Sequence, residues 1–321
     1  MENLSDKSGR KIDYLRVSIT DRCNLRCHYC MPAEGVKEKS HHEILIYEEI
    51  VKIIKTAQKI GVDKVRITGG EPLVRLGVED LIAQLSKLGL KDLSMTTNGV
   101  LLAEKVEKLK KAGLDRVNIS LDTLKREKFK KISRRDNFAR VINGIEAAQK
   151  YALDPVKLNV VVMRNINDDE ILDFVELSKD QKLVIRFIEY MPLGGAAESE
   201  KFISSREIKA EINKKFKLGK TEAEGNGPAK YYKLKGAKGK IGFISALTEH
   251  FCTDCNRLRL TADGRLKPCL ASDLEIKIDK SMKSDLILQS FKKALMLKPA
   301  AHNLNFEDKL KYKRSMSQIG G

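Results

Sequence analysis

The sequence lacks several features that would define its class at once. Its 321 residues include no tryptophan, and aromatic residues make up only 6% of the chain. No apolar run approaches the roughly 20 residues that a membrane-spanning helix needs. The first eleven residues are polar and contain Glu2 and Asp6, unlike a secretory signal or an acid-free transit peptide. We therefore expect no membrane partner and a cytoplasmic location.

Two glycine-rich nucleotide motifs are also missing. No G-x-G-x-x-G turn follows the first predicted strand, which argues against an open dinucleotide-binding sheet. No G-x-x-x-x-G-K-[ST] segment occurs either, which excludes the phosphate loop of the P-loop proteins.

Positive charge is in excess: the formal net charge is +17 and the pI is about 9.5. The basic residues alternate with acidic ones, as in 104–111, a pattern typical of a solvated helix face. Because the sequence has no long basic arm and no aromatic-rich strand of the RNA-binding type, we expect no nucleic-acid partner. The charge still favours anionic ligands such as phosphorylated metabolites.

Strand and helix patterns alternate through the first two-thirds of the chain. Short runs rich in Val, Ile and Leu predict six strands buried on both faces, at 15–20, 64–68, 93–97, 116–121, 157–163 and 183–189. Helical patterns lie between them, at 48–59, 78–88, 102–112, 138–151 and 168–179. Six β/α repeats indicate a parallel sheet, either an open doubly wound sheet or a barrel.

Unusual residues follow the predicted strands, which favours the barrel over the open sheet. They are the first cysteine group and the segments 69–72, 97–99, 120–122 and 190–192. Since β/α barrels carry their chemistry on the loops after the strands, we expect an active site at one mouth of a barrel. The predicted fold class is therefore α/β, a partial (β/α)6 TIM-like barrel over residues 1–195.

The character of the chain changes after Pro192. Residues 193–197 are predicted to be a linker, and the Gly- and Glu-rich stretch 221–229 an exposed loop. Strand-like runs follow at 231–234, 240–245 and 257–261, and Asp263-Gly264 predicts a hairpin turn. We expect a small C-terminal domain over 196–321 that carries the second cysteine group.

The six cysteines form two groups of three in a large chain without a recognisable signal, so metal or redox chemistry is favoured over disulfides. Cys23, Cys27 and Cys30 have the spacing C-x3-C-x2-C. Three thiolates would leave one iron of a four-iron cluster open for a ligand. A zinc site completed by His28 and a redox pair formed by Cys27 and Cys30 are the alternatives.

The second group, Cys252, Cys255 and Cys269, has the spacing C-x2-C-x13-C. His250 would complete a structural zinc site there, and spacing alone does not separate that site from an open cluster.

Arginines in strand patterns point to an anionic ligand. Arg257 and Arg259 alternate with Leu258, so both face the same side of a strand and could fork a carboxylate or phosphate. Arg16 and Arg66 interrupt apolar strands, where a charge must be paired or face a polar cavity. A phosphate-binding barrel interior explains them, with an internal salt bridge as the alternative.

The first cysteine group, with Tyr29 before its last cysteine and Gly-Gly-Glu-Pro at 69–72, resembles the radical S-adenosylmethionine superfamily. The resemblance implies that the open iron chelates S-adenosylmethionine and that the reduced cluster cleaves it. The 5′-deoxyadenosyl radical so formed abstracts a hydrogen from the substrate. Gly69 and Gly70, lacking side chains, would let the backbone approach a ligand closely.

The stretch 251–270, Ile-Ser-Arg-Arg-Asp at 132–136 and Gly320-Gly321 resemble one subfamily, the GTP 3′,8-cyclases of molybdenum-cofactor biosynthesis. The resemblance implies a lyase that converts GTP to (8S)-3′,8-cyclo-7,8-dihydroguanosine 5′-triphosphate. It implies two 4Fe-4S clusters, the second of which binds the purine. Hydrogen abstraction at the ribose 3′ carbon is followed by attack on guanine carbon 8.

The same resemblance assigns residue roles. The residues implied to contact S-adenosylmethionine are Tyr29, Gly70, Ser120 and Met191. Those implied to contact GTP are Arg16, Arg66, Thr97, Lys157, Arg257 and Arg259. The catalytic residues would be Arg16, Gly320 and Gly321, the glycines forming a tail that enters the active site. Lys157 stands at the start of its strand, so its role rests on the resemblance rather than on its position.

The implied partners are GTP as substrate, an electron donor such as flavodoxin or ferredoxin, a downstream cyclic pyranopterin monophosphate synthase and a second copy in a homodimer. Two other interpretations stay open. One is a radical enzyme that modifies a peptide, and the other is a zinc-stabilised basic protein that binds nucleic acid.

Overall fold

The structure, a computed structural model, describes residues 5–193, 198–222, 227–278, 283–306 and 314–320. These residues contain twelve strands in one sheet and nine α-helices. The strands are β1 (Tyr14–Ser18), β2 (Lys64–Thr68), β3 (Asp92–Thr97), β4 (Arg116–Ser120), β5 (Val156–Val162), β6 (Leu183–Glu189), β7 (Leu218–Lys220), β8 (Lys230–Leu234), β9 (Lys240–Ile244), β10 (Arg257–Leu260), β11 (Arg265–Lys267) and β12 (Ile276–Lys277). The helices are α1 (Tyr47–Gln58), α2 (Val78–Ser86), α3 (Leu102–Lys111), α4 (Arg126–Ser133), α5 (Phe138–Lys150), α6 (Ile171–Asp180), α7 (Ser205–Asn213), α8 (Ser284–Met296) and α9 (Met316–Ile319).

The six predicted strands pair in sequence order from β1 to β6, and every pair is parallel. A doubly wound sheet would reverse its strand order at a switch point, and this sheet does not. The barrel stays open, because β1 pairs with β10 and β6 with β9 instead of with each other. The partial (β/α)6 barrel is therefore confirmed.

The strands after residue 196 extend both edges of this barrel sheet. On one side β9, β8 and β7 follow β6, and on the other β10, β11 and β12 follow β1. The antiparallel pair of β10 and β11 confirms the predicted hairpin, in which Gly264 takes a positive φ of 75°. Strands that precede and strands that follow the predicted boundary at residue 195 are hydrogen-bonded in one sheet. The division into two domains therefore stays a prediction. The predicted linker, apart from Leu193, and part of the loop 221–229 lie outside the described residues.

The barrel helices form where apolar residues recur at helical spacing. In α1, for example, Ile50, Ile53, Ile54 and Ala57 are buried at intervals of three, one and three residues, which makes one apolar face. The helix predicted from residue 168 differs slightly: Asp168–Glu170 is a 3-10 turn and the α-helix begins at Ile171. Among the described residues, no helix is long and apolar enough to cross a membrane.

Helix α8 was not predicted, yet it closes one side of the core. It packs against α1, β11 and β12, and Phe291 on its inner face is fully buried. Leu286 on the same helix is 46% exposed. The helix therefore joins the C-terminal hairpin to the barrel layer.

We predict that Phe291→Ala lowers the free energy of unfolding by about 3–5 kcal/mol, because it leaves a cavity in a packed core. Leu286→Ala is the matched control on α8 and should change it by no more than about 0.5 kcal/mol. Urea denaturation of the cluster-free protein, followed by circular dichroism, measures both. Equal effects of the two substitutions would contradict the packing described for α8.

Candidate active site

Both cysteine groups line one cavity of about 300 Å³ inside the barrel. Cys23, Cys27 and Cys30 follow the carboxyl end of β1. Cys255 precedes the amino end of β10, which pairs with β1 in parallel, so it lies at the opposite end of the same strands. Strand β1 alone has five residues, which corresponds to a length of roughly 16 Å. The sequence predicted an active site at one mouth of the barrel. The cavity instead extends from that mouth to the opposite end, where the second cysteine group lies.

A row of arginines crosses the cavity between the two groups. Arg16 on β1 pairs in register with Arg66 on β2 and with Arg259 on β10, and all three are buried and line the cavity. Burial, and next the charge of Arg259, hold the pKa of Arg16 well below its usual range. Burial lowers the pKa of Arg66 and of Arg259 to about 10. Mutually repelling, desolvated cations of this kind favour an anionic ligand.

Arg186 belongs to the same basic interior and was not among the predicted site residues. It interrupts the apolar strand β6, which is the signal that singled out Arg16 and Arg66. Its Nη2 donates to the Asn118 side chain at 2.8 Å and to Asn159, and Arg186 lines the cavity.

The first cysteine loop is held by the Gly-Gly-Glu-Pro segment. The backbone N–H groups of Gly70 and Glu71 donate to the carbonyl oxygens of Thr20 and Arg22, each at 2.7 Å. A Cβ added at Gly70 would overlap the carbonyl oxygen of Arg22. Although Gly70 also lines the cavity, the close approach that requires glycine is made by the protein's own cysteine loop.

Glu71 joins this loop to the next strand. Its buried carboxylate accepts hydrogen bonds from the Thr97 hydroxyl at 2.7 Å, the Asn98 N–H at 2.6 Å and the Leu73 N–H at 3.0 Å. Burial nevertheless raises the pKa of Glu71 to about 7. Thr97, which the resemblance assigned to GTP, lines the cavity, but its hydroxyl already donates a hydrogen bond to the Glu71 carboxylate.

The chemistry of the first cysteine group suits a soft metal centre. All six cysteines are described, and all are free thiols. Burial raises the pKa of Cys23 to about 11 and that of Cys30 to about 12, and raises the pKa of Cys27 as well. Such thiols stay protonated without metal and release their protons when a metal binds.

The three thiols of each cysteine group do not by themselves form a compact site for a single zinc ion. Among the described residues, three ligand atoms that all lie within 4.8 Å of one another occur at His250, Cys252 and His302, and neither cysteine group is that compact. Tetrahedral zinc would need its sulfur ligands about 4 Å apart. His28, the proposed fourth zinc ligand, is not among the residues that line the cavity.

His302, which lies near His250 and Cys252, is hydrogen-bonded on its own in this arrangement. Its Nδ1 accepts a hydrogen bond from the Leu304 N–H at 3.3 Å, and the ring also bonds the Ala246 backbone. Burial, and then the adjacent His250, lower the pKa of His302. The two imidazole rings stack with their centroids 4.4 Å apart.

The second cysteine group lies in a basic environment. Burial alone would raise the pKa of Cys255, but the charges of Arg257 and Lys298, together with hydrogen bonds from Arg257, outweigh burial and lower that pKa to about 7. A thiol that ionises near neutral pH is a good metal ligand. Cysteine sulfur is the ligand of iron–sulfur clusters, so both groups offer suitable ligands, although the first group must lose its protons when the metal binds.

The structure brings most of the predicted contact residues together. Those that line the cavity are Tyr29, Gly70, Ser120, Met191, Arg16, Arg66, Thr97, Arg257 and Arg259. The Tyr29 hydroxyl donates to Asp122 at 2.7 Å. Lys157 is buried but is not among the lining residues, and its Nζ lies 3.4 Å from the Tyr231 hydroxyl. Lys157 lies at the amino end of β5, and this is the end of the barrel at which the second cysteine group lies. The roles of these residues stay predictions.

The C-terminal segment enters the cavity. Gly320 follows α9 with a positive φ of 74°, and its carbonyl oxygen accepts hydrogen bonds from Arg16 at 2.9 Å and from Arg259 at 2.8 Å. Gly321 lies outside the described residues. At the base of the segment, Arg314 bonds Asp263 at 2.8 Å and Glu275 at 2.6 Å. The hairpin turn thus anchors the segment that reaches the arginine row.

Comparisons with known proteins agree with this geometry. The Radical SAM superfamily model matches residues 17–178, and the Molybdenum Cofactor Synthesis C model matches 183–304. A protein named GTP 3',8-cyclase from Petrotoga mobilis is 52% identical over 98% of this chain and 99% of its own length. Another of that name, from Alkaliphilus oremlandii, is 47% identical over 99% of this chain and all of its own length.

Solved structures share the fold. SuiB from Streptococcus suis superposes with a TM-score of 0.63 at 16% identity, over 86% of this chain and 65% of that chain, so this chain spans about two-thirds of its length. A histidine-tagged form of anSMEcpe with bound AdoMet gives a TM-score of 0.58 at 16% identity, over 96% of this chain and 85% of that chain. At such identities the likeness concerns the fold alone.

The open barrel with its C-x3-C-x2-C loop defines the class, that of the radical S-adenosylmethionine proteins. The identity to full-length relatives is high enough to be more specific, and the chain belongs to the GTP 3′,8-cyclase family.

We predict that Gly320→Ala releases the C-terminal segment from the arginine row. The added Cβ would overlap the Thr68 hydroxyl and strain a positive φ. Hydrogen exchange of the amides in 314–320, measured on cluster-free protein by mass spectrometry, should become faster. Gly236→Ala is the matched control, since its φ is 78° and nothing lies within 4 Å of an added Cβ. Unchanged exchange in Gly320→Ala would contradict the seating of the segment.

Proposed function

We propose that this protein is a lyase that converts GTP to (8S)-3′,8-cyclo-7,8-dihydroguanosine 5′-triphosphate, the first step of molybdenum-cofactor biosynthesis. One observation carries the proposal: two groups of three cysteines, each of which would leave one iron of a four-iron cluster open, share a cavity that is crossed by Arg16, Arg66 and Arg259. The names of the full-length relatives support the same substrate and reaction.

The two ends of the cavity would have different tasks. Cys23, Cys27 and Cys30 would hold one 4Fe-4S cluster, beside which Tyr29, Gly70, Ser120 and Met191 would contact S-adenosylmethionine. When bound, this pair supplies one-electron, hydrogen-abstracting chemistry. The second cluster would be held by Cys252, Cys255 and Cys269, at the end where the purine is expected to bind.

The arginine row would bind the nucleotide between these ends. Guanidinium groups match phosphate oxygens in paired hydrogen bonds, and such bonds are strongest where water is excluded. Arg16, Arg66, Arg257 and Arg259 would donate to the nucleotide, with Thr97 and Lys157 as further contacts. With its purine at the second cysteine group and its phosphates at the arginine row, the nucleotide would have its ribose inside the cavity. Proximity of the ribose to the reacting group there would favour hydrogen abstraction.

Arg16 and Arg259 also donate to the Gly320 carbonyl, which links the tail to the nucleotide site. An anion at these two arginines would compete with that carbonyl, so the tail and GTP would respond to each other. Gly320 and Gly321 would act with Arg16 in catalysis.

The partners expected from the family extend this proposal. They are an electron donor such as flavodoxin or ferredoxin, a downstream cyclic pyranopterin monophosphate synthase that takes up the product, and a second copy in a homodimer. We propose a cytoplasmic location for the enzyme.

The proposal predicts that anaerobically reconstituted protein releases 5′-deoxyadenosine from S-adenosylmethionine, and that GTP raises the rate several-fold because both ligands occupy one cavity. Chromatography of the quenched reaction with and without GTP measures this. ATP at the same concentration is the matched nucleotide control. If GTP does not change the rate of 5′-deoxyadenosine release, GTP is rejected as the substrate and a peptide-modifying enzyme is favoured. Zinc without sulfide in the purified protein would reject radical chemistry altogether.

Substitutions in the two cysteine groups should separate the two half-sites. Cys27→Ala should abolish 5′-deoxyadenosine release, since it removes a ligand of the first cluster. Cys255→Ala should keep slow release but form no cyclised product, since it removes a ligand of the second. Anaerobic assays of both products test this. Full cyclisation by Cys255→Ala would refute the assignment of the second group.

A further inference from the structure

Lys298 lies against the second cysteine group and has no assigned role. It is only 5% exposed, although a lysine side chain in water is charged at neutral pH. Its Nζ donates to the carbonyl oxygens of Arg257 and Pro268, each at 2.8 Å, and lies 3.4 Å from the Cys255 Sγ. An ammonium has three N–H donors, so these three partners use all of them.

These contacts join separate cysteine segments. Pro268 directly precedes Cys269, and Arg257 follows Cys255 by two residues. The two segments are separated by the β10–β11 hairpin, so the local chain alone does not fix the distance between their thiols. One ammonium therefore fixes Cys255 and the backbone beside Cys269 relative to each other.

Arg10 makes the matching contact to the third cysteine. Its Nη1 donates to the Cys252 carbonyl oxygen at 2.6 Å and to that of Ala300 at 3.0 Å, and its Nη2 donates to that of Pro299 at 2.7 Å. Asp6 pairs with the same guanidinium at 2.6 Å. Because Pro299 directly follows Lys298, the two cations are parts of one framework around the second group.

The difference between the two cations lies in their charge compensation. Arg10 is neutralised by a buried carboxylate, whereas the partners of Lys298 are two neutral carbonyls and a thiol sulfur. A buried charge is costly unless an opposite charge meets it. Ionised cysteine ligands would supply that charge, because a metal binds thiolates and not thiols.

We propose that Lys298 is a positioning residue for the second cluster: it holds the segments of Cys255 and Cys269 at ligand spacing, and its ammonium offsets the negative charge of the thiolate-bound cluster. Arg10 performs the same positioning for Cys252. This inference rests on the assignment of a cluster to the second group under the proposed function.

A cation in hydrogen-bond contact with a ligand sulfur also affects redox chemistry. Reduction adds negative charge to a cluster, and a nearby ammonium stabilises that charge. Loss of the charge should therefore make the midpoint potential more negative. A purely structural tie would not produce this shift when the cluster is fully assembled.

The test uses full-length protein with Cys23, Cys27 and Cys30 all replaced by Ala, so that any bound iron belongs to the second group. In this parent we compare Lys298→Met, Lys298→Gln and Lys298→Arg. Iron and sulfide per chain after anaerobic reconstitution report assembly, and a redox titration followed by electron paramagnetic resonance reports the midpoint potential. Lys293→Met is the matched control, since it removes the same charge from an exposed position on α8.

We expect Lys298→Met to retain at most half of the parent's iron and sulfide. The cluster in Lys298→Gln should have a more negative midpoint potential than the parent, and Lys298→Arg, which keeps the charge, should remain near the parent in potential. Lys293→Met should match the parent throughout. Circular dichroism checks folding, and if Lys298→Met does not fold, the comparison of Gln with Arg decides the proposal.

Two results would overturn the inference, and they differ in what else they overturn. If the parent holds a cluster and the Met and Gln variants match it in content and potential, Lys298 has no such role, and the proposed function stands. If the parent binds no iron and sulfide, or binds zinc instead, the second cluster fails together with this inference.

Discussion

Repulsion among buried guanidinium groups is the constraint on which the interior depends. Arg16, Arg66 and Arg259 lie at one level on three adjacent strands, where each buried ion costs several kcal/mol unless it is compensated. The backbone register that places them side by side also excludes an apolar filling of the barrel. The C-terminal segment is seated on this row through the Gly320 carbonyl, and the proposed binding of an anionic substrate rests on the same row.

Two loops at the carboxyl end of the barrel act as one unit around that row. Glu71 accepts hydrogen bonds from the start of the loop after β3, while the backbone beside it binds the cysteine loop after β1. The two loops are therefore joined through Glu71 and its neighbour Gly70. At the amino end, buried cations replace this carboxylate, since Arg10 and Lys298 bind carbonyl oxygens of the second group. The two ends are thus held by opposite charges.

Local patterns in the sequence were sufficient for the barrel strands, the hairpin and both cysteine groups. Apolar runs and turn residues act within a few positions, so they are visible without a structure. The pairing of β1 with β10 is not local, and it alone places Cys255 at the far end of the barrel and makes the position of Lys157 intelligible. Lys298 escaped notice because a single lysine near a helix end looks like an ordinary surface residue until its burial is known.

The parallel pair of β1 with β10 also has a consequence for biosynthesis. A ribosome makes β10 about 240 residues after β1, a delay of roughly 10–50 s at 5–20 residues per second. During that time one side of β1 has no strand beside it, and an unpaired strand edge is where nascent chains aggregate. The first cysteine group is complete throughout this period, whereas the second must wait for almost the whole chain. Cluster assembly on a growing polypeptide would therefore have a built-in order.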